Sequence, residues 1–96
     1  MDLAAFRASL TDPAPPPGAA AVLRALWWDA KGEWDKAHDA AQSDNSARAS
    51  AVHAYLHRKE GDLANANCWY RRAARPPHTG TLDEEWQALT AEMLAA

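Results

Sequence analysis

A glycine inside a long helix-compatible run constrains this chain more than any other feature. Residues 54–73 read AYLHRKEGDLANANCWYRRA, and Gly61 interrupts a segment otherwise made of residues that favour a helix. Glycine adopts the left-handed backbone conformation that ends a helix at almost no steric cost. Asp62 follows, and its carboxylate can accept hydrogen bonds from the first free amides of a new helix. The run therefore predicts two helices that meet at Gly61 and pack as an antiparallel pair.

An earlier segment repeats this pattern at a distance of 29 residues. Each copy has a glycine, a bulky apolar residue two positions later and an alanine three positions after that. The two copies are Gly32, Trp34, Ala37 and Gly61, Leu63, Ala66. We expect the bulky residue to fill the space between paired helices and the alanine to let their axes approach. Self-similarity at this spacing is typical of stacked helical repeats.

Helical periodicity and end signals extend the prediction to the whole chain, with no candidate strand. Six helices are predicted, over residues 2–10, 18–31, 33–42, 47–60, 62–75 and 81–94. Four prolines between residues 13 and 17 forbid a helix there. The expected division is therefore an N-terminal helix with a proline-rich linker (1–17) and a helical domain with a C-terminal capping helix (18–96).

The second copy supports a family resemblance. Its run Gly-x-Leu-x-x-Ala-x-x-x-Tyr-x-x-Ala ends with Tyr70 and Ala73 and is followed by Pro76. This run resembles the second half of a tetratricopeptide repeat, and the first copy resembles it more weakly. Two degenerate repeats over about residues 20–76 would imply an all-α fold of antiparallel hairpins, stacked as a short right-handed array.

The resemblance also implies a function, that of a non-enzymatic protein-interaction module. In such proteins the first helices of successive hairpins line a concave groove for a peptide or a partner protein. By analogy, the groove residues here would be Leu26, Asp29, Arg48, Tyr55, Arg58 and Lys59.

A histidine pair offers an alternative function as a small metal-binding protein. His53 and His57 are four residues apart, so both imidazoles lie on one helix face and could share a transition metal. Candidates for a third ligand are His38, Glu60, Asp62 and Cys68. The competing interpretation is structural, with neutral buried rings bonded to Asn67, Tyr70 or a backbone carbonyl.

A basic patch offers a further alternative, the binding of an anionic ligand. Arg71, Arg72 and Arg75 follow Trp69 on one predicted helix. Guanidinium groups beside aromatic rings suit phosphate or acidic peptides. The competing interpretation is that these arginines pair with nearby carboxylates.

Composition limits the remaining classes. A net charge of −3 lacks the strongly basic balance expected of a nucleic-acid-binding domain. The single cysteine, Cys68, cannot form an internal disulfide, which favours a cytoplasmic location. No apolar run reaches the roughly 20 residues needed to cross a bilayer, and no motif indicates catalysis or a cofactor. A protein partner or homodimerisation is expected to cover the exposed apolar faces.

Overall fold

The computed structural model describes all 96 residues and contains six α-helices without any strand. The helices are α1 (Leu3–Ala8), α2 (Ala21–Ala30), α3 (Trp34–Gln42), α4 (Ala47–Lys59), α5 (Leu63–Arg72) and α6 (Leu82–Ala95), with one 3-10 turn (Ser9–Thr11) after α1. This confirms the predicted all-α class. None of the helices is both long enough and apolar enough to span a membrane.

The predicted helix ends carry the expected capping groups. Asp62 accepts a hydrogen bond from the amide of Asn65 at the start of α5. Thr81 and Glu84 form a complete capping box at the start of α6. Such caps satisfy amides that have no partner inside the helix. Residues 12–17 form no α-helix, as the prolines require, and α2 begins at Ala21, three residues later than predicted.

The helices are arranged in three layers. Helices α2 and α3 form one hairpin, and α4 and α5 form the other. Helices α2 and α4 contact each other in the middle layer, with α3 and α5 on one side of them. Helix α6 packs across α2 and α4 from the opposite side and also contacts α1. The resemblance of this stack to tetratricopeptide repeats stays a prediction.

Helix α4 is the centre of the molecule because every residue from 49 to 57 is buried. It contacts α2, α3, α5 and α6, so no face of these two and a half turns reaches solvent. The main core cluster runs through the chain and includes Phe6, Trp27, Leu56 and Trp86. Because Phe6 packs with this cluster, residues 1–17 share the core of residues 18–96.

Four residues predicted to be structural are buried, namely Ala37, Ala66, Tyr70 and Ala73. The two bulky residues of the repeated pattern behave differently. Trp34 is only partly buried, and its Nε1 donates to the Leu56 carbonyl on the next hairpin at 2.9 Å. Leu63 is 61% exposed, so the prediction that it fills an interhelical space is wrong. The physical reason is that α5 has no following hairpin against which Leu63 could pack.

The turn at Gly61 yields a stability prediction. Gly61 has φ = +89°, and a Cβ atom added there would meet no atom within 4 Å. The cost of Gly61→Val is therefore backbone strain alone, about 1–3 kcal/mol. Gly61→Asn is the matched control, because asparagine tolerates the left-handed region better. Urea unfolding should show a clearly larger loss for valine, and a valine loss below about 0.5 kcal/mol would contradict this account of the turn.

Candidate functional site

Three histidines converge in the cleft between α3 and α5. His38 comes from α3, and His53 and His57 come from α4, which forms the floor of the cleft. Their side-chain ligand atoms all lie within 4.8 Å of one another. His53 and His57 are 4% and 7% exposed, whereas His38 is partly buried. The cluster therefore joins the two hairpins.

The local sequence explains why these rings meet. His53 and His57 are one helical turn apart on α4, so they share a face, and their rings are stacked with centroids 4.9 Å apart. His38 lies one turn after Trp34, whose ring stacks on His38 at 4.9 Å. Packing of α3 against α4 then brings His38 to His53.

Two hydrogen-bonding arrangements decide the chemistry of the rings. The Nε2 atoms of His38 and His53 are 2.8 Å apart, so one ring donates to the other. The side-chain nitrogen of Asn65 lies 3.5 Å from Nδ1 and 3.4 Å from Nε2 of His57. Both contacts are at the long end of the hydrogen-bond range, and one N–H group cannot point along both lone pairs at once. Asn65 therefore binds His57 only weakly, and Glu60 Oε2 lies 3.6 Å from His57 Nδ1.

An aromatic wall and an arginine complete the surroundings. Trp69 of α5 stacks on His53 with centroids 3.7 Å apart and planes 9° from parallel. The guanidinium of Arg72 lies over the opposite side of this wall, 4.4 Å from the Trp69 ring centroid. Burial is the main cause that lowers the pKa of His53 to about 4, and electrostatic repulsion from the neighbouring His38, His57 and Arg72 side chains acts in the same direction. His53 is thus neutral near pH 7, as a metal ligand must be.

This shift predicts how acid destabilises the metal-free protein. The pKa of His53 is lower in the folded chain than the ordinary 6.5, so the unfolded chain binds its proton more tightly. Stability should therefore fall as pH drops from about 6.5 to 4, by roughly 2–3 kcal/mol in total. Urea unfolding in the presence of a chelator measures this slope. His53→Gln should flatten it, and an unchanged slope would contradict the assignment.

The other candidate third ligands lie outside this cluster. Cys68 is exposed, and its Sγ accepts from Arg71 at 3.2 Å. Glu60 and Asp62 lie near His57 but are exposed, and Glu60 Oε2 is 3.6 Å from His57 Nδ1. Of the four candidates, His38 is the one that the fold brings to both His53 and His57.

The prediction that Asn67 or Tyr70 forms a hydrogen bond to the histidines is wrong. Asn67 is exposed on α5 and does not line the cleft. Tyr70 faces away from the cluster and donates its hydroxyl to Glu85 at 2.5 Å. Asn65 and Trp69 take their places. These two residues are four apart and so share one face of α5, a signal that could have identified them.

The expected peptide groove is covered by α6. Leu26, Asp29 and Tyr55 are buried, and the Leu26 carbonyl accepts from Trp86 Nε1 of α6 at 2.9 Å. Asp29 accepts hydrogen bonds from the Tyr55 hydroxyl and from Lys59 Nζ. These residues therefore form part of the interior instead of lining a groove for a peptide.

The remaining groove residues are dispersed. Arg48 is exposed near the start of α4, whereas Arg58 donates to Glu85 and to the carbonyl of Gly80. The Arg58–Glu85–Tyr70 network gave no signal in the sequence, because its members lie on three different helices.

The predicted arginine patch is also divided. Arg75 forms a two-bond ion pair with Glu92 of α6. For this residue the structure agrees with the interpretation that the arginines pair with carboxylates. Arg71 lies beside Cys68, and Arg72 lies on Trp69. Arg72 alone approaches the histidine cluster, where its charge acts on His53.

Comparison with known proteins adds no assignment: no protein-family model, no curated protein and no solved structure matches this chain.

Proposed function

We propose that this protein binds one first-row transition-metal ion, with zinc as the principal candidate, through His38, His53 and His57. The observation that carries this proposal is the convergence of three imidazoles, from two hairpins, within 4.8 Å of one another. Three protein ligands with one open position are typical of reactive zinc sites, and imidazole also suits copper and nickel.

The three rings must adjust their spacing to accept the ion. Two nitrogens bound to one tetrahedral zinc are about 3.3 Å apart, given zinc–nitrogen bonds of about 2.0–2.1 Å. The His38 and His53 Nε2 atoms, now 2.8 Å apart, would separate slightly as the metal replaces their shared proton. His57 would contribute the lone pair of one ring nitrogen, which now accepts only a long hydrogen bond from Asn65.

The cost of burying the cluster also favours a ligand. Burial of imidazoles is unfavourable unless each ring nitrogen finds a partner. Here the rings contact chiefly one another and the faces of Trp34 and Trp69. Apolar side chains would fill this space at a lower cost in free energy, so the presence of three histidines supports a binding role over a purely structural one.

Metal titration of the untagged protein tests the proposal. After chelator treatment, calorimetry with Zn²⁺ should show one ion per chain. His38→Ala, His53→Ala and His57→Ala should each weaken binding by more than about 100-fold, because loss of an outer partner alone costs about 10–100-fold. His78→Ala is the matched control, since His78 lies in the loop before α6 and should bind zinc as the parent does. Absence of one-to-one binding by the parent would refute the proposal.

Zinc should also stabilise the fold, because the ion would join α3 to α4 and hence one hairpin to the other. At a free concentration 100 times the dissociation constant, the gain is about 2.7 kcal/mol. Thermal unfolding with and without zinc measures this gain, which should vanish in His38→Ala.

A protein-interaction role stays a prediction with less support. The residues expected to form its groove are largely buried under α6 or engaged in ion pairs. A partner would have to use another surface, and the exposed Leu63 on α5 is the clearest apolar feature available to it.

A further inference from the structure

The histidine cluster borders an open pocket. A pocket of about 290 Å³ lies above the three rings and is lined by six residues: His38, Gln42, His53, His57, Asn65 and Trp69. The ligand histidines come from α3 and α4, whereas Asn65 and Trp69 form the facing wall on α5. A metal held by the histidines would therefore present its free coordination position to this pocket.

The pocket offers no negative charge to balance a divalent cation. None of its lining residues is a carboxylate. Glu60 Oε2 lies 3.6 Å from His57 Nδ1 and Asp62 is close by, but neither residue lines the pocket, so no carboxylate faces the open coordination position. Arg72 adds a positive charge behind Trp69. Three neutral imidazoles and an arginine would thus leave the charge of the ion largely uncompensated, which favours an anionic fourth ligand.

The facing wall supplies a hydrogen-bond donor for such a ligand. The Asn65 amide carries two N–H groups and makes only long hydrogen bonds, of 3.4 and 3.5 Å, to the His57 ring, so at least one N–H group is free to bind a ligand. Its position on the pocket wall places these donors beside the open coordination position. Anionic acceptors form the stronger hydrogen bonds with such donors.

From this arrangement we infer that the fourth coordination position takes a small oxyanion, a carboxylate or phosphate group, held by the metal, by the Asn65 amide and by the charge of Arg72. The inference rests on the proposed metal site. The ligand of the site would thus be an oxyanion, and Arg72 would contribute to its binding whereas Arg71 and Arg75 would not.

Cobalt is the probe for the test, because Co²⁺ replaces zinc and its visible absorption reports its ligands. The cobalt-loaded protein is titrated with acetate and with phosphate, and with neutral acetamide as the uncharged counterpart of acetate. We expect a saturable spectral change with at least one of the two anions and none with acetamide. Their relative affinities distinguish a carboxylate ligand from a phosphate ligand, and either result supports the inference.

Variants identify the groups involved. Asn65→Leu should weaken anion binding by about 10-fold, the loss of one charge-assisted hydrogen bond, and Arg72→Gln should weaken it by a smaller factor, because its charge acts from behind Trp69; cobalt affinity should change by less than about 3-fold in both variants. Asn67→Leu is the matched control, because Asn67 is on the same helix but outside the pocket. Equal anion affinities for Asn65→Leu and Asn67→Leu would overturn the inference.

The outcomes also separate this inference from the proposed function. Failure of the parent to bind cobalt would refute the metal site itself. If cobalt binds but no anion alters its spectrum, the inference alone fails. Glu60→Gln tests one protein alternative: if Glu60 turns inward as the fourth ligand, this variant should lose more than about 100-fold in metal affinity, beyond the loss of an outer partner, and that result would also overturn the inference.

Discussion

Replacement of Trp27 by alanine is expected to cost about 3–5 kcal/mol, a large share of the total stability of a domain of this size. Trp27 is fully buried in the main core cluster, and its Nε1 donates to Ser9 Oγ at 3.1 Å. The variant would lose the transfer energy of the indole, create a cavity and release the contact with the N-terminal segment. Urea unfolding at neutral pH measures the loss.

The neighbouring tryptophan provides the control for this prediction. Trp28 contacts Trp27 edge to face at 4.9 Å but is only partly buried, with Lys36 over its ring. Trp28→Ala should therefore cost clearly less than Trp27→Ala. Similar losses for the two variants would show that Trp27 is not the principal tryptophan of the core.

Replacement of Glu85 by alanine is expected to cost about 3 kcal/mol through a different mechanism. Glu85 is 3% exposed and accepts hydrogen bonds from Arg58 at 2.9 Å and from the Tyr70 hydroxyl at 2.5 Å. Its removal would leave the largely buried Arg58 guanidinium and the buried Tyr70 hydroxyl without this acceptor. The free-energy cost of that loss is larger than the stability that the intact ion pair contributes. Burial, followed by the hydrogen bond to Glu85, raises the pKa of Tyr70, so the hydroxyl remains protonated and donates.

Two further variants test the mechanism. Glu85→Gln keeps an acceptor and the side-chain volume, so it should recover part of the loss. Glu92→Ala breaks the ion pair with Arg75, whose members are each about one-third exposed, and should cost only about 0–1 kcal/mol. Thermal and urea unfolding provide the comparison, and equal losses for Glu85→Ala and Glu92→Ala would refute the role of burial.

The helices and their ends were predictable because their signals are local. Gly32 and Gly61 have positive φ, as a helix-ending glycine requires. The Asp62 and Thr81 caps join atoms only three residues apart, so their bonds depend on the chain alone. The helical period of about 3.6 residues also placed His53 and His57 on one face of α4, and this needed no knowledge of the tertiary fold.

The third histidine and the walls of the site were not predictable to the same degree. His38 was one of four candidate ligands, and only the packing of α3 on α4 brings it 2.8 Å from His53. Asn65 and Trp69 enter the site because α5 is rotated to turn their shared face toward the cleft. Rotation and offset between packed helices depend on side-chain interdigitation over the whole interface.

Burial shows the same division between local and tertiary information. The presence of five tryptophans predicted a folded core. Their number did not indicate that Trp27 is fully buried and that Trp34 is only partly buried. The groove prediction failed at Leu26 and Asp29 because α6 packs across α2 and α4. No periodicity within α2 reports where a helix more than 50 residues later will dock.

By itself, therefore, the sequence determined the all-helical class, the six helices, their turns and the shared face of His53 and His57. These features follow from backbone conformation and from hydrogen bonds between residues at most five apart. The tertiary structure alone decided that His38 completes the cluster, that α6 covers the expected groove and that Glu85 is buried among polar partners. Each of these depends on contacts between distant segments, which form only when the apolar faces of all six helices are satisfied together.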